Sequence, residues 1–290
     1  MSAGERIERV GVVGGGLMGS GIAEVCVRAG CDVRVVVTSD RSRDLARARL
    51  ERSLNAAVAR GKLGQDKYAA ALSRVTFGTE LGELADRQLV FESVTEHEET
   101  KVKLFRQLDD VLPDRDAIFA TNTSSLPVTR LALATAQPGR VVGTHFFNPV
   151  PVMPLVEVTG TPQTQERTVQ RVEAFVTEVL GKEAIRSEDR AGFVVNALLV
   201  PYLLSAVRMA ESGQATAVDI DKGMTLGCGH PMGPLRLADL VGIDTLRAVA
   251  QGLFEESGDP AYAPPGLLSR MVDAGHCGQK SGRGFHSYSA

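Results

Sequence analysis

The sequence has no excess of positive charge. Its 290 residues include 32 lysines and arginines and 35 aspartates and glutamates, which gives a net charge of −3 at pH 7. Proteins that bind nucleic acid usually present a positive field to the phosphate backbone. The charge balance therefore makes nucleic acid a poor candidate partner.

Cysteine is scarce, and long apolar segments are absent. The four cysteines, Cys26, Cys31, Cys228 and Cys277, form neither a C-x-x-C pair nor a metal-binding spacing. We therefore predict free thiols, no metal site and a reducing compartment. No apolar run reaches the length of about 18 residues that a membrane span needs, and the amino terminus is short and polar. These features predict a cytoplasmic protein with neither a signal peptide nor a membrane span.

The sequence does contain a glycine pattern near its amino terminus. Gly14, Gly16 and Gly19 follow a valine-rich run and fit G-x-G-x-x-G, and Leu17 and Met18 open the next helix. The first glycine permits a tight turn, the second leaves room for a pyrophosphate, and the third lets the helix pack against the strand. The helix amino terminus offers its N–H groups to the phosphate. The pattern predicts a dinucleotide-binding unit.

The second predicted strand, 33–37, bears on which dinucleotide is bound. An NAD-binding unit usually ends this strand with Asp or Glu, which bonds the ribose 2′-hydroxyl. Val37 occupies that position, and small hydroxyl and guanidinium side chains follow it: Thr38, Ser39, Arg41 and Arg43. Because arginine holds a 2′-phosphate, we predict NADP(H) rather than NAD(H). In the alternative, Asp40 reaches the ribose of NAD(H) or caps the next helix.

Strand and helix patterns alternate up to residue 187, and only helical patterns follow. Further buried strands are predicted at 88–94, 117–120, 140–147 and 155–158, with a charged helix at 97–111. The helices of the second part are predicted at 191–212, 216–227, 242–256 and 264–274. The sequence thus predicts an α/β fold, with a doubly wound Rossmann-type domain over 1–188 and a smaller all-α domain over 189–290.

The helix predicted at 41–60 is locally basic. Besides Arg41, it carries five arginines, Arg43, Arg47, Arg49, Arg52 and Arg60. A substrate with a phosphate-bearing handle would be attracted to such a helix. The alternative is a solvated helix face.

Several polar side chains lie where a ligand of this fold would bind. Asn122 and Ser124 follow the strand 117–120, and ligands of an open α/β sheet bind beyond the carboxyl ends of its strands. They are candidates for contact with substrate or nicotinamide, with a simple turn or helix cap as the alternative. Asn196, on the apolar helix predicted from 191, needs a partner, either a substrate carbonyl or a backbone carbonyl.

One histidine is placed for acid/base chemistry. His145 lies at the end of the strand 140–147, and Glu157 ends the next strand twelve residues later. Histidine exchanges a proton near neutral pH, and a carboxylate on its other ring nitrogen fixes the tautomer and stabilises the imidazolium. The two residues are therefore a candidate pair for proton transfer during hydride exchange. The alternative is a structural histidine at a strand end.

Taken in order, these motifs resemble those of the short-chain 3-hydroxyacyl-CoA dehydrogenase family along nearly the whole chain. The segments that carry the resemblance are 14–23, 122–125, 145–153, 192–196, 230–234 and 280–285. A glycine pattern alone is weak, whereas several ordered motifs at the family spacing are specific. Thr121 stands where the family more often has serine, and Val37 departs from its usual acidic residue.

The resemblance implies an oxidoreductase that exchanges hydride between a nicotinamide cofactor and C3 of a 3-hydroxyacyl-CoA thioester. It implies that His145 is the general acid/base, that Glu157 orients it, and that Ser124 and Asn196 contact the substrate. It further implies CoA binding near Ser53 and Arg60, a cofactor bordered by Glu96, Lys101 and Asn122, a cleft between the domains, and a homodimer formed by the helical domain.

Three other functions remain open at this point. The same fold could act on a hydroxyacyl group bound to a carrier protein, or on a sugar acid of the gulonate type. A nucleotide-sensing protein without catalysis is the third alternative. Such a protein would have no need of Ser124, His145, Glu157 and Asn196 together.

Overall fold

A computed structural model of the chain describes residues 6–288. The chain divides into two compact units, residues 1–190 and 191–290. The sequence placed this division after residue 188, where the strand pattern ends.

The first unit is built on one eight-stranded sheet with the order β3-β2-β1-β4-β5-β6-β7-β8. The strands are β1 Arg9–Val13, β2 Asp32–Val36, β3 Val75–Gly78, β4 Leu89–Glu92, β5 Ile118–Thr121, β6 Val141–Phe146, β7 Leu155–Gly160 and β8 Glu183–Glu188. All neighbouring strands are parallel except β6 and β7, which are antiparallel. The predicted α/β, doubly wound class is confirmed. Strand β3 was not predicted, because it has only four residues and most of them are only partly buried or exposed.

Helices of the first unit connect these strands. They are α1 Leu17–Arg28, α2 Asp40–Ala59, α3 Gln65–Ser73, α4 Glu98–Val111, α5 Val128–Ala132 and α6 Glu166–Ala174. Central strands carry valine, leucine and phenylalanine, and helix α1 is buried over most of its length. A sheet covered on both faces needs such continuous apolar strands. Because β1, β4 and β5 are parallel, their carboxyl ends lie at the same edge of the sheet. The predicted polar residues Asn122 and Ser124 follow β5 at this edge.

In the second unit, the described residues 191–288 form helices and no β-strand. Its helices are α7 Val195–Glu211, α8 Ala217–Cys228, α9 Pro234–Val241, α10 Ile243–Ser257 and α11 Gly266–Asp273. Leu203, Leu235 and Ile243 are among the residues of its apolar core. The smaller all-α domain is thus confirmed, but helix α9 was not predicted, because it is short and begins at a proline after a Gly- and Pro-rich stretch.

The start of α7 differs from the prediction. The sequence placed the helix from residue 191, whereas Gly192 and Phe193 have φ values of 79° and 50°. This left-handed backbone cannot belong to a right-handed helix. Asn196 consequently lies in the first turn of α7 rather than one turn inside a helix.

The cysteines are free, as far as the described residues show. Cys26 and Cys31 are buried, and burial raises the pKa of Cys31 to about 11 and that of Cys26 well above its ordinary value. Both therefore remain protonated thiols near neutral pH and are weak nucleophiles. Within residues 6–288, no helix is both long and apolar enough to span a membrane.

Candidate active site

The glycine loop between β1 and α1 has the geometry of an anion cradle. Gly14 has a φ of 107°, and a Cβ there would overlap the carbonyl of Ser93. A Cβ at Gly19 would overlap the carbonyl of Gly14. Gly16 differs, because apart from Gly16 and its chain neighbours no described atom lies within 4 Å of where its Cβ would stand. The loop is closed on the protein side and open on the side where a pyrophosphate would bind.

Helix α1 begins at this opening. Gly16 is its N-cap residue and provides no side-chain cap, and no acidic residue lies in the first turn. Leu17 is exposed and Met18 half-buried. The N–H groups of the helix are therefore available to an anion, and the helix dipole favours one. These features fit a dinucleotide phosphate.

Beyond β2, the residues predicted to choose between cofactors make contacts of their own. Val37 is buried, and the hydroxyl of Ser39 caps α2 by accepting from the Ser42 amide at 3.2 Å. The cap is therefore Ser39 and not Asp40. Arg43 donates to Asp40 at 2.7 Å and to Asp44 at 3.2 Å. Its charge is thus already neutralised by two carboxylates. Thr38 and Arg41 are exposed.

A contact of Arg49 was not foreseen from the sequence. Its Nη1 donates to the carbonyl of Gly15 at 2.5 Å, which connects α2 to the glycine loop. A Cβ at Gly15 would overlap Ala46 and Val37, so the helix and loop pack without space between them. No ion pair of Arg49 forms within residues 6–288. A positive charge therefore lies beside the loop predicted to hold phosphate.

The remaining arginines of α2 differ in their surroundings. The guanidinium of Arg47 lies over the ring of Phe77 at 5.3 Å. Arg60 is exposed at the carboxyl end of the helix and has no ion pair in the described part of the chain. Ser53 is half-buried on the same helix. Only some of the arginines predicted to form a basic face therefore remain available to a phosphate-bearing ligand.

His145 and Glu157 are directly paired across the antiparallel strands β6 and β7. His145 Nδ1 lies 2.6 Å from Glu157 Oε2, and the two residues are only 8% and 0% exposed. The ring of Phe147 packs against the imidazole at a centroid distance of 4.5 Å. A buried carboxylate at Nδ1 orients the imidazole and fixes its tautomer.

Two side chains hold the backbone near this histidine. The amide oxygen of Asn122 accepts from the Phe146 amide at 3.0 Å, which joins the end of β5 to the end of β6. Lys182 is buried, and its ammonium donates to the carbonyls of Val150 and Met153 at 2.7 and 2.6 Å. Burial lowers the pKa of Lys182. These contacts fix the loop that follows His145.

A buried charge cluster connects β4, α4 and β5. Lys101 donates to Glu92 at 3.0 Å and pairs with Glu96 at 2.8 Å. Thr121 donates its hydroxyl to Glu92 at 2.6 Å. Glu96 and Lys101 were singled out from the sequence, but Glu92 was not. The signal available was a carboxylate at the end of the otherwise apolar segment 89–92.

Glu96 in turn holds the polar turn after β5. Its Oε1 accepts from the hydroxyl of Thr123 and from the Ser124 amide, the latter at 3.0 Å. Burial raises the pKa of Glu96, but the Lys101 ammonium and these hydrogen bonds outweigh burial and lower it. Glu96 is therefore a carboxylate at neutral pH. Within residues 6–288 the Ser124 hydroxyl makes no hydrogen bond, which leaves it for a ligand.

In the second unit, Asn196 is half-buried in the first turn of α7. Its side-chain amide makes no hydrogen bond to the part of the chain that the structure describes. Buried Asp221 instead accepts from the Leu235 and Arg236 amides at 2.8 and 3.0 Å and so caps α9. Asp239 likewise holds the segment 285–288. These two carboxylates bind backbone and side-chain groups of the helical unit, whereas the side-chain amide of Asn196 has no such partner among the described residues.

Comparison with known proteins agrees with this geometry. Residues 9–190 match the family model of the 3-hydroxyacyl-CoA dehydrogenase NAD-binding domain, and residues 192–288 match that of its C-terminal domain. The chain is 55% identical to the 3-hydroxybutyryl-CoA dehydrogenase of Mycobacterium tuberculosis over 98% of this chain and 99% of the relative.

Solved structures of related proteins indicate the same family. The structure of M. tuberculosis FadB2 superposes with a TM-score of 0.95 at 55% identity, covering 98% of this chain and 99% of that one. The (S)-3-hydroxybutyryl-CoA dehydrogenase of Ralstonia eutropha superposes with a TM-score of 0.91 at 42% identity, covering 98% and 100%. The predicted resemblance is confirmed. This chain is an oxidoreductase that belongs to the 3-hydroxyacyl-CoA dehydrogenase family.

Proposed function

We propose that this enzyme interconverts short-chain 3-hydroxyacyl-CoA and 3-oxoacyl-CoA, with 3-hydroxybutyryl-CoA and acetoacetyl-CoA as the substrate pair. The observation that carries the proposal is the buried His145–Glu157 pair at 2.6 Å. The names of the two related 3-hydroxybutyryl-CoA dehydrogenases support this substrate class.

His145 is the general acid/base. In the reductive direction its imidazolium gives a proton to the oxygen on C3, and in the oxidative direction the neutral ring takes that proton back. Glu157 holds Nδ1, so proton exchange falls to Nε2, and its negative charge stabilises the imidazolium. A nicotinamide dinucleotide, when bound, supplies or accepts the hydride at C3.

Other residues position the reactants. Ser124 and Asn196 hold the reacting oxygen and the neighbouring thioester region by hydrogen bonds. Gly14, Gly16 and Gly19 with the start of α1 hold the cofactor pyrophosphate. Glu96 and Asn122 border its nicotinamide end. Lys101 is 1% exposed between two glutamates, so it serves the cofactor through Glu96.

For the cofactor we propose NADP(H) over NAD(H). Val37 presents no carboxylate to repel a 2′-phosphate, and Arg41 is exposed at the start of α2. With Arg43 paired to Asp40 and Asp44, the proposal rests on Arg41, with Arg49 as a second positive charge nearby.

We expect NADPH to give a higher kcat/KM than NADH in acetoacetyl-CoA reduction. In Arg41→Ala, the preference should fall by about tenfold, because one charge-assisted contact to the 2′-phosphate is lost. Steady-state assays with both cofactors measure the ratio. Arg106→Ala, an exposed arginine on α4, is the control. A clear NADH preference in the wild type would reject the proposal and return Asp40 as the ribose partner.

For the acyl carrier we propose coenzyme A, with its adenosine phosphates near Ser53 and Arg60. A carrier protein brings phosphopantetheine without those phosphates. We therefore expect Arg60→Ala to raise KM for acetoacetyl-CoA about tenfold while leaving turnover of the pantetheine thioester unchanged. Equal effects on both thioesters would contradict the role of Arg60, and a preference of the wild type for a carrier-bound substrate would reject CoA as the carrier.

We also propose a cytoplasmic homodimer formed through the helical unit. That unit exposes large apolar side chains, among them Leu198 at 72% and Leu226 at 75%. A second copy of this chain is the occupant we assign to this apolar surface. The free thiols fit a reducing compartment.

A further inference from the structure

Glu92 and Thr121, which lie with Lys101 in the buried charge cluster, have no role in the mechanism described so far. Glu92 is 0% exposed and Lys101 is 1% exposed. Removing both charges from water is costly, and replacement by apolar residues of similar volume is often neutral or stabilising. An ion pair in this position therefore has to be explained by something other than stability alone.

The contacts of the cluster lead from the sheet to the Ser124 turn. Thr121 and Lys101 both donate to Glu92 Oε2, and the Val94 amide donates to Glu92 Oε1 at 2.8 Å. Lys101 pairs with Glu96 Oε2, while Glu96 Oε1 holds the backbone amide of Ser124. Each side chain thus fixes the next one along.

The charges of these side chains also connect Glu92 to Glu96 through Lys101. Lys101 lies between two carboxylates, those of Glu92 and Glu96, and each oxygen of Glu92 accepts a hydrogen bond. With glutamine in place of Glu92, Lys101 would keep a single counter-charge and move toward Glu96. The carboxylate that holds Ser124 would then shift.

We propose that Glu92 and Thr121 are positioning residues that set the location of Ser124 through Lys101 and Glu96. This inference rests on the proposed function, in which Ser124 contacts the substrate oxygen. Displacing a positioning group by about 1 Å can cost about 10²-fold in rate even when it lies away from the chemistry.

The test is a double-mutant cycle on acetoacetyl-CoA reduction, using the full-length enzyme and saturating cofactor. We expect Glu92→Gln to lower kcat by about 10- to 100-fold, with KM for acetoacetyl-CoA changed by less than about threefold. If Glu92 acts through Ser124, the double variant Glu92→Gln with Ser124→Ala will be no slower than Ser124→Ala alone. If the fold-decreases in kcat of the two single variants multiply in the double variant, the proposal is overturned.

A matched pair at Thr121 gives the same test with a smaller disturbance. Thr121→Val keeps the shape and removes the hydroxyl donor, whereas Thr121→Ser keeps the donor. We expect Thr121→Ser to retain most of the activity that Thr121→Val loses, and the loss in Thr121→Val to vanish in the Ser124→Ala background. Should Glu92→Gln fail to fold, this pair decides the question. Glu98→Gln, at an exposed pair with Arg130 on the same helix as Lys101, controls for charge removal.

The outcomes separate this inference from the function it rests on. Normal kcat in Glu92→Gln beside a slow Ser124→Ala would overturn only the positioning role. Normal kcat in Ser124→Ala would remove Ser124 from the proposed mechanism and the coupling with it. A wild-type enzyme that does not reduce acetoacetyl-CoA would reject the proposed function itself.

Discussion

Replacing His145 by glutamine is expected to lower kcat for acetoacetyl-CoA reduction by about 10²–10⁴-fold, because glutamine cannot give or take the proton at C3 oxygen. Glutamine keeps a side-chain amide that can meet Glu157, so the pocket stays filled. Binding of the cofactor, measured by nicotinamide fluorescence, is expected to remain near the wild-type value, because the glycine loop is not altered.

His276→Gln is the matched control, since it makes the same change in the second unit at a half-buried histidine with no assigned role. Its kcat is expected to equal that of the wild type. Near-normal turnover in His145→Gln would remove His145 from the mechanism. Loss of cofactor binding together with turnover would instead assign it a structural role.

Gly16→Ala is expected to raise the dissociation constant of the cofactor by about tenfold or more with no change in thermal stability. Gly16 has an ordinary φ of −67°, and beyond its own chain neighbours no described atom lies within 4 Å of the added methyl group. The methyl would meet only a ligand, and the close approach of backbone to pyrophosphate is the reason for glycine there.

The comparison with Gly64→Ala makes this result specific. Gly64 is also an N-cap residue with ordinary φ, −75°, and open space around it, but it precedes α3 and not the cofactor helix. We expect no effect on cofactor affinity from that change. Unaltered affinity in Gly16→Ala would place the pyrophosphate elsewhere.

The sequence predicts the local parts of this molecule well. The glycine pattern and the valine-rich strands depend on neighbouring residues, and their positions in the structure agree with the predictions. The Arg43–Asp40 pair was also open to prediction, since residues three apart on a helix are neighbours. The pair takes up two side chains that the sequence offers as cofactor contacts.

Contacts between distant segments are a different matter. Glu92 acquires its surroundings from β4, α4 and β5 together, and no pattern in a single segment indicates them. Arg49 reaches Gly15 only because α2 packs against the loop. The sequence indicates His145 and Glu157 as a candidate pair, but the distance between their side chains depends on the register of β6 and β7.

That register has a consequence for catalysis. In an antiparallel ladder, backbone hydrogen bonds set which residues stand opposite each other, and His145 stands opposite Glu157. The sheet therefore brings acid and imidazole together when the chain folds, before any ligand arrives. The pair is preorganised by main-chain hydrogen bonds, so substrate binding energy is not needed to assemble it and can be used elsewhere along the reaction.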